Sequence, residues 1–318
     1  MNDSEMNDSN TTDSKIKNPE FMGENRLTIT ICSWNTIDEL RICLDSLEKV
    51  RDEWPFEVIV VENNSADGSG QMVHQEFPWV ILLQQFINLG FCKGHNLALK
   101  ERSNPHALLL NSDTIVHPGA LSASMNALLS NPKMGILGPK LLNPDNSLQF
   151  SCRRFPNPVA ALFRNTFIGK IFPKNPFTKD YLMQDWDHSS AREVDWVSGA
   201  ALFLKKEAID VLGGFDESYY MFCEDVDLCW RAWHNGFTVE YHPNGVITHA
   251  IGSSTSKVPN RMIARFHKSM FMFYQRYQAP KTPVLRQLAL GFAATALASR
   301  AGIFLIKNRI DILRRKFS

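Results

Sequence analysis

The chain has 318 residues, 44% of them apolar and 21% charged, with a formal net charge of +1. Length and composition fit a globular protein with a substantial core, and the near-zero charge excludes nucleic-acid binding through an overall field. Six cysteines form no Cys-x-x-Cys pair and follow no disulfide-rich spacing, which excludes a disulfide scaffold.

Residues 1–25 are polar, rich in Asn, Asp and Ser, and repeat Met-Asn-Asp-Ser at positions 1 and 6. They bury too little apolar surface to order themselves and are expected to form a disordered tail. No signal-peptide pattern opens the chain, so the thiols are expected in a reducing, cytoplasmic setting as small core residues. From Leu27 the pattern alternates. Leu27–Ser33 is an apolar run of strand length, and Ile37–Val50 carries helical spacing through Ile37, Leu40, Leu44 and Leu47. A second strand at Phe56–Val61 runs into Asn63-Asn64-Ser65-Ala66-Asp67-Gly68, a strong turn signal. A helix near Ser69–Phe77, a strand at Val80–Gln84, a glycine-bearing loop from Asn88 to Asn96, a helix to about Arg102 and a strand at Ala107–Leu110 follow.

Continuous apolar strands alternating with helices predict an α/β fold, a parallel sheet covered on both faces. Such sheets place ligands beyond the carboxyl ends of their strands. Residues 142–193 are irregular and rich in Pro, Asn and Phe, as expected of an insertion or lid. Beyond them, Val194–Leu204 predicts a strand, Lys205–Leu212 a helix, and Thr238–Tyr241 and Val246–Thr248 two short strands.

The segment Phe215–Arg231 places Glu224, Asp225 and Asp227 among Tyr, Met, Phe, Leu and Trp. Ionised acids are costly to bury unless a metal, a cation or a catalytic task compensates. A helix starting near Glu224 would favour all three acids and let Asp227 pair with Arg231 one turn on, freeing Glu224 and Asp225. The plainer reading is an acidic helix start with one salt bridge. Asp113 closes a buried strand in Leu110-Asn111-Ser112-Asp113, where a carboxylate can hold a hard cation under a diphosphate; taken alone, capping of a helix before Pro118 is the plainer role. His249 could act as a neutral imidazole ligand, although a lone His is more often a surface or satisfied core residue. Gly68-Ser69-Gly70 lacks the third glycine of a dinucleotide loop, and no Gly-x-x-x-x-Gly-Lys-Ser/Thr occurs.

Seven strings in order then give a specific signal. They are Ser33-Trp34-Asn35, Val61 to Ser69, Asn88 to Asn96, Leu110 to Asp113, Trp196 to Ala200, Gly213-Gly214-Phe215-Asp216-Glu217 and Glu224 to Leu228. Between about Arg26 and Ser254 the chain resembles the family-2 inverting glycosyltransferases of GT-A fold, especially rhamnosyltransferase-like members. The resemblance implies a catalytic domain over residues 26–256 and a helical, basic region over 257–318. It implies that Ser33, Asn35, Glu62, Asn64, Asn88, Gly90, Lys93, Asn111 and Asp113 bind the nucleotide sugar. Asp113 and His249 would hold a divalent cation, Mg²⁺ or Mn²⁺. Asp225 would be the general base, and Glu224, Trp196 and Gly199 would meet the acceptor. Three departures stand out: Glu62 for the usual Asp, Asn111 for the first acid of an Asp-x-Asp, and Cys92 and Ala98 for frequent glycines.

The implied partners are a nucleoside-diphosphate sugar, with deoxythymidine-diphosphate-rhamnose the nearest donor, and a glycan or polyprenyl-linked acceptor. The rival reading is a non-catalytic protein that binds sugar nucleotides or glycans on the same fold. Arg153 and Arg154 form a basic pair within reach of a phosphate or of solvent. At the other end, the charge-free run Gln287–Ser299 is shorter than the roughly 20 residues of a membrane span. Arg286, Arg300, Lys307 and Arg314 recur as a helical stripe, and Arg261, Arg265 and Lys268 share a face upstream. These features predict a helix lying at the inner face of an anionic membrane. The alternative is docking on the catalytic domain or on a second subunit.

Overall fold

The computed structural model describes residues 25–157, 163, 171–250 and 259–316. Most of the expected tail, residues 158–162 and 164–170 of the expected insertion, and residues 251–258 after His249 lie outside them.

The first apolar run forms strand β1 (Leu27–Ser33), followed by α1 (Ile37–Lys49), β2 (Phe56–Glu62), α2 (Ser69–Glu76), β3 (Ile81–Gln84), α3 (Phe91–Glu101) and β4 (His106–Asn111). These match the expected elements within a residue or two at their ends, except that α3 begins at Phe91, inside the loop expected over Asn88–Asn96. The chain continues through β5 (Thr114–Val116), α4 (Ala120–Ser130) and β6 (Met134–Leu142), none of which the sequence reading assigned. Short elements follow: β7 (Leu148–Gln149), β8 (Cys152–Arg153), α5 (Pro176–Tyr181), β9 (Arg192–Glu193) and β10 (Trp196–Val197). Then come β11 (Ala201–Leu204), α6 (Lys206–Leu212), α7 (Glu224–His234), β12 (Thr238–His249), α8 (Pro259–Phe273), a π-helical turn at Tyr274–Gln278 and α9 (Pro283–Lys316).

The main sheet runs β3-β2-β1-β4-β11-β6-β12-β5. Its first four strands are parallel, as expected. Strand β11 enters antiparallel to both β4 and β6, so the sheet is mixed rather than wholly parallel. Two expected spans need correction. Val194–Leu204 is not one strand: Ser198-Gly199-Ala200 breaks it, β10 pairs with β8 in a second small sheet, and only β11 joins the main one. Conversely, Thr238–His249 is one strand, which stays paired with β6 through an irregularity between His242 and Val246.

Alternation along β4 divides the core. Leu108 and Leu110 pack with Leu40, Leu44 and Leu47 of α1 and Met125 and Leu128 of α4. Ala107 and Leu109 pack on the other face with Leu99 of α3, Ile209 of α6 and Val226, Leu228 and Cys229 of α7. Each fully buried Leu or Ile contributes about 1.5–3 kcal/mol. That two-sided burial explains why Ala107–Leu110 of β4 is apolar without interruption. Five cysteines are buried and Cys32 half-buried, the small core residues anticipated. Burial pushes the thiols of Cys32, Cys43 and Cys152 up to about 12. It raises those of Cys92, Cys223 and Cys229 further.

The pairing expected inside α7 is present. Asp227, fully buried, accepts from Arg231 Nε at 2.7 Å and from the Tyr277 hydroxyl at 2.7 Å. Arg231 also donates to the carbonyls of Leu212 and Gly214, pinning the loop before α7. At the other end, α9 is exposed along its apolar side, with Leu288 and Phe292 67% and 77% accessible. Its Pro283–Ile310 stretch of 28 residues contains an 18-residue window of mean hydropathy 1.7 and is long and apolar enough to cross a membrane by length and composition. This corrects the expectation of a run too short to span: isolated charges such as Arg300 interrupt the run without ending the helix.

Candidate active site

The carboxyl ends of β1 and β4, the loop before α3, the Ser198–Ala200 break and the start of α7 meet around a cavity of about 630 Å³. Hydroxyls tie two of those strand ends together. Ser33 Oγ lies 3.0 Å from Thr36 Oγ1, which lies 3.1 Å from Ser112 Oγ. The Asn111 N–H donates to the Ala200 carbonyl at 2.9 Å, joining the end of β4 to the turn before β11. Gly90, at φ +82°, is needed for a second reason as well: a Cβ there would meet the Tyr220 ring at 2.9 Å.

Of the anticipated site residues, Ser33, Asn88, Gly90, Asn111, Asp113, Gly199, Glu224, Asp225 and His249 line this cavity. Five do not. Asn35 and Glu62 act on the loops behind it: Asn35 Oδ1 accepts from Ala66 N, and Glu62 Oε1 accepts from Ser65 N, both at 2.8 Å. Asn64 and Lys93 are exposed outside the lining. Trp196 is 7% accessible and donates its indole N–H to the Arg154 carbonyl at 2.8 Å. Its ring sits under the Arg153 guanidinium, 5.1 Å from the centroid, so it offers no open face to a sugar. Lining residues that the sequence did not single out for the site include Trp34, Asn63, Tyr220, Phe222, Arg261 and Arg265. Trp34 and Asn63 stand inside strings that carry the resemblance, and the arginines belong to a basic helical face.

Helix α7 starts with both acids directed by backbone geometry. Phe222 and Cys223 adopt left-handed φ of 69° and 64°, turning the chain sharply before Glu224. Asp225 Oδ2 accepts from the Gly199 N–H at 2.9 Å, and Oδ1 from the Val226 N–H at 2.8 Å. Burial raises the pKa of Asp225, while those two N–H groups and the Arg153 charge pull it back. Glu224 lacks such relief: its Oε2 is buried without a partner. Burial first, then the adjacent Asp225 charge, raises Glu224 well above the carboxylate range. Both neighbouring acids are thus pushed up, Glu224 well above the carboxylate range and Asp225 less far, so Asp225 gives up its proton first.

Asp113 and His249 form the second pair of the site. His249 Nε2 lies 3.3 Å from Asp113 Oδ1 and 3.1 Å from Asn111 Nδ2. Its Nδ1 lies 2.8 Å from Gln149 Oε1. Gln149 Nε2 donates to Asn143 Oδ1 at 2.9 Å and to the His249 carbonyl at 3.1 Å. The amide orientation is therefore set, Nδ1 carries the proton, and the Nε2 lone pair points toward Asp113. A neutral imidazole and a carboxylate on the cavity wall fit a hard divalent cation that draws its remaining ligands from a substrate diphosphate and water. Among the described residues no group of three or more His, Cys, Asp or Glu side chains forms a self-sufficient metal cage.

The comparisons with known proteins decide the family. Residues 25–266 match the model of glycosyltransferase-like family 2. The chain belongs to the family-2 glycosyltransferases. It is 32% identical over 232 residues to the N-acetylglucosaminyl-diphospho-decaprenol L-rhamnosyltransferase of Mycobacterium tuberculosis, covering 70% of this chain and 75% of that protein. It is 26% identical to the O-antigen biosynthesis protein RfbC of Myxococcus xanthus, over 68% of this chain and 16% of that longer one. In fold it is similar to the mannosyltransferase PcManGT of Pyrobaculum calidifontis, solved with GDP-Man and Mn²⁺. The TM-score is 0.53 at 18% identity, over 91% of this chain and 80% of that one. The UDP complex of TarS from Staphylococcus aureus gives 0.52 at 16% identity, covering 80% and 67%. The fold is GT-A, and the protein is a glycosyltransferase.

Proposed function

We propose that this glycosyltransferase moves a deoxyhexose, rhamnose, from a nucleoside-diphosphate donor to a lipid-linked, N-acetylglucosamine-bearing acceptor, inverting the anomeric centre. The observation that carries this reading is the joint placement, on one cavity, of the half-buried Asp225 beside buried Glu224 and of the Asp113–His249 pair. The sugar and acceptor class rest on the 32% identity to the mycobacterial L-rhamnosyltransferase.

Asp225 is the base. Each carboxylate oxygen already accepts one backbone N–H, which fixes the plane and leaves a lone pair for the acceptor hydroxyl proton. Glu224, kept neutral, donates a hydrogen bond to an acceptor oxygen. Asn88 and Gly90 border the nucleotide, and Glu62 and Asn35 brace their loops from behind. A divalent cation held by Asp113 and His249 would supply the charge that stabilises the departing diphosphate. The chain works at the inner face of the membrane, attached through α9, whose exposed apolar side has no counterpart among the described residues.

The test is nucleoside-diphosphate release from a panel of sugar nucleotides, with prenyl-diphosphate-linked N-acetylglucosamine as acceptor and with or without Mg²⁺ or Mn²⁺. Cation-dependent release from one donor, coupled to a glycosylated lipid, is the expected result. Binding of donors without release from any would overturn it in favour of a carrier or binding protein.

A further inference from the structure

Two arginines line the cavity without a task in the chemistry above. Arg261 and Arg265 stand four residues apart in the first turns of α8, so they share one face. Arg265 Cζ lies 3.5 Å from the centre of the Tyr220 ring, and the Tyr220 hydroxyl is 3.4 Å from Asn88 Oδ1. The stack holds the guanidinium plane at the cavity wall with its N–H fork available. Among the described residues neither arginine forms an ion pair, and they are the Lys or Arg side chains of the lining. The acidic lining groups are Asp113, Glu224 and Asp225.

A donor diphosphate has the Asp113–His249 cation site as its counter-charge. A second phosphorylated substrate entering the same cavity would meet carboxylates and needs a positive partner of its own. The arginines also lie beside the apolar helix. Asn260, adjacent to Arg261, accepts from Asn308 of α9 at 2.6 Å, and the His267 and Phe304 rings of α8 and α9 are 6.1 Å apart. A cationic cavity edge thus adjoins an exposed apolar helix, the layout that suits an amphiphile with an anionic head.

We infer that Arg261 and Arg265 bind the diphosphate of a lipid-linked acceptor, whose hydrocarbon chain leaves the cavity along α9. This rests on the transferase reading above and adds to it a recognition subsite. Planar guanidinium groups match phosphate oxygens bidentately, and such charge-assisted bonds are about twice as strong as neutral ones.

The experiment measures binding rather than transfer. The full chain in neutral detergent is titrated with farnesyl diphosphate, with farnesol, and with deoxythymidine diphosphate plus Mn²⁺. Arg261→Gln and Arg265→Gln should each weaken farnesyl diphosphate binding by about tenfold, and the double variant by about 10²-fold. Arg265→Lys should retain part of the affinity, while farnesol and the nucleotide bind all variants as they bind the wild type. Unchanged farnesyl diphosphate affinity in the double variant overturns the inference. So does a parallel loss of nucleotide affinity, which would give the arginines to the donor. Displacement of the probe by phosphatidylglycerol at equal concentration also overturns it, by making the site a general headgroup contact. Failure of sugar transfer with these binding results intact would count against the proposed reaction and leave the subsite standing.

Discussion

Gln149 presents its amide oxygen, and only that, to the Nδ1 of His249, across 100 residues of sequence. The contact decides which ring nitrogen is free to face Asp113. Gln149→Ala should therefore weaken Mn²⁺ binding by about 10–100-fold, the range for losing a group that orients a metal ligand. Titration calorimetry checks the affinity, and ¹⁵N chemical shifts of His249 should change from one tautomer to a mixture. An unchanged tautomer would remove the assigned role.

Asp225→Asn keeps the size of the side chain and a carbonyl for the Gly199 N–H but removes the base. Turnover should fall by about 10²–10⁴-fold. Donor affinity, set elsewhere in the cavity, should stay within about twofold. Single-turnover rates beside nucleotide-sugar titrations separate the two, and a matching loss in both would mean that Asp225 holds the donor.

The raised pKa values of the acid pair have opposite consequences for activity and stability. Activity needs ionised Asp225, so the acid limb of the rate profile should centre above the usual aspartate value of about 3.9. For stability, the folded chain keeps a proton on Glu224 over a pH range in which the unfolded chain has lost it. Stability therefore falls as pH rises from the unfolded pKa toward the raised folded one. Glu224→Gln should flatten that slope and raise Tm at pH 7–8 by about 2–4 °C per kcal/mol recovered. Scanning calorimetry at several pH values provides the check; a variant less stable than wild type at pH 8 would refute it.

Asp227 contributes to the fold rather than the reaction. Asp227→Ala leaves Arg231 without its carboxylate and Tyr277 without its acceptor in a buried setting, at an expected cost of about 3–5 kcal/mol. Urea denaturation would read it directly. Tyr277→Phe, which removes one hydrogen bond, should cost about 1 kcal/mol.

Leu288 and Phe292 project from α9 into open space. Replacing both with Glu should lower binding to phosphatidylglycerol vesicles by at least about 10²-fold, since charge is strongly disfavoured at membrane depth. Far-ultraviolet circular dichroism and nucleotide affinity should not change. Retained vesicle binding would assign membrane contact to another surface.

Much of this arrangement is visible in the residue order, for identifiable reasons. Strands β1, β2 and β4 are buried on both faces, so they read as largely apolar runs, and the polar residues at their ends mark the cavity. The end of β10 is hidden because apolar residues on both sides carry the strand pattern across Ser198-Gly199, a dipeptide that itself marks a turn. In β12 the error runs the other way: His242-Pro243-Asn244-Gly245 carries a turn signal, yet pairing with β6 resumes beyond it. Trp196 invites an exposed role by residue type, but an indole hydrogen bond and the Arg153 contact fix it in the interior. Gln149 has no local signal at all. Its partners Asn143 and His249 are brought to it by β6, β7 and β12, and only tertiary structure shows the lock.

The six protonated thiols give the protein a practical property. At neutral pH essentially none is a thiolate, the form that reacts with maleimides and peroxide. A cysteine introduced on the outer face of α1, in place of exposed Lys49, would stand out as a selectively labelled sulfur. A spin label or fluorophore could then be attached without first stripping the native cysteines from the core they fill.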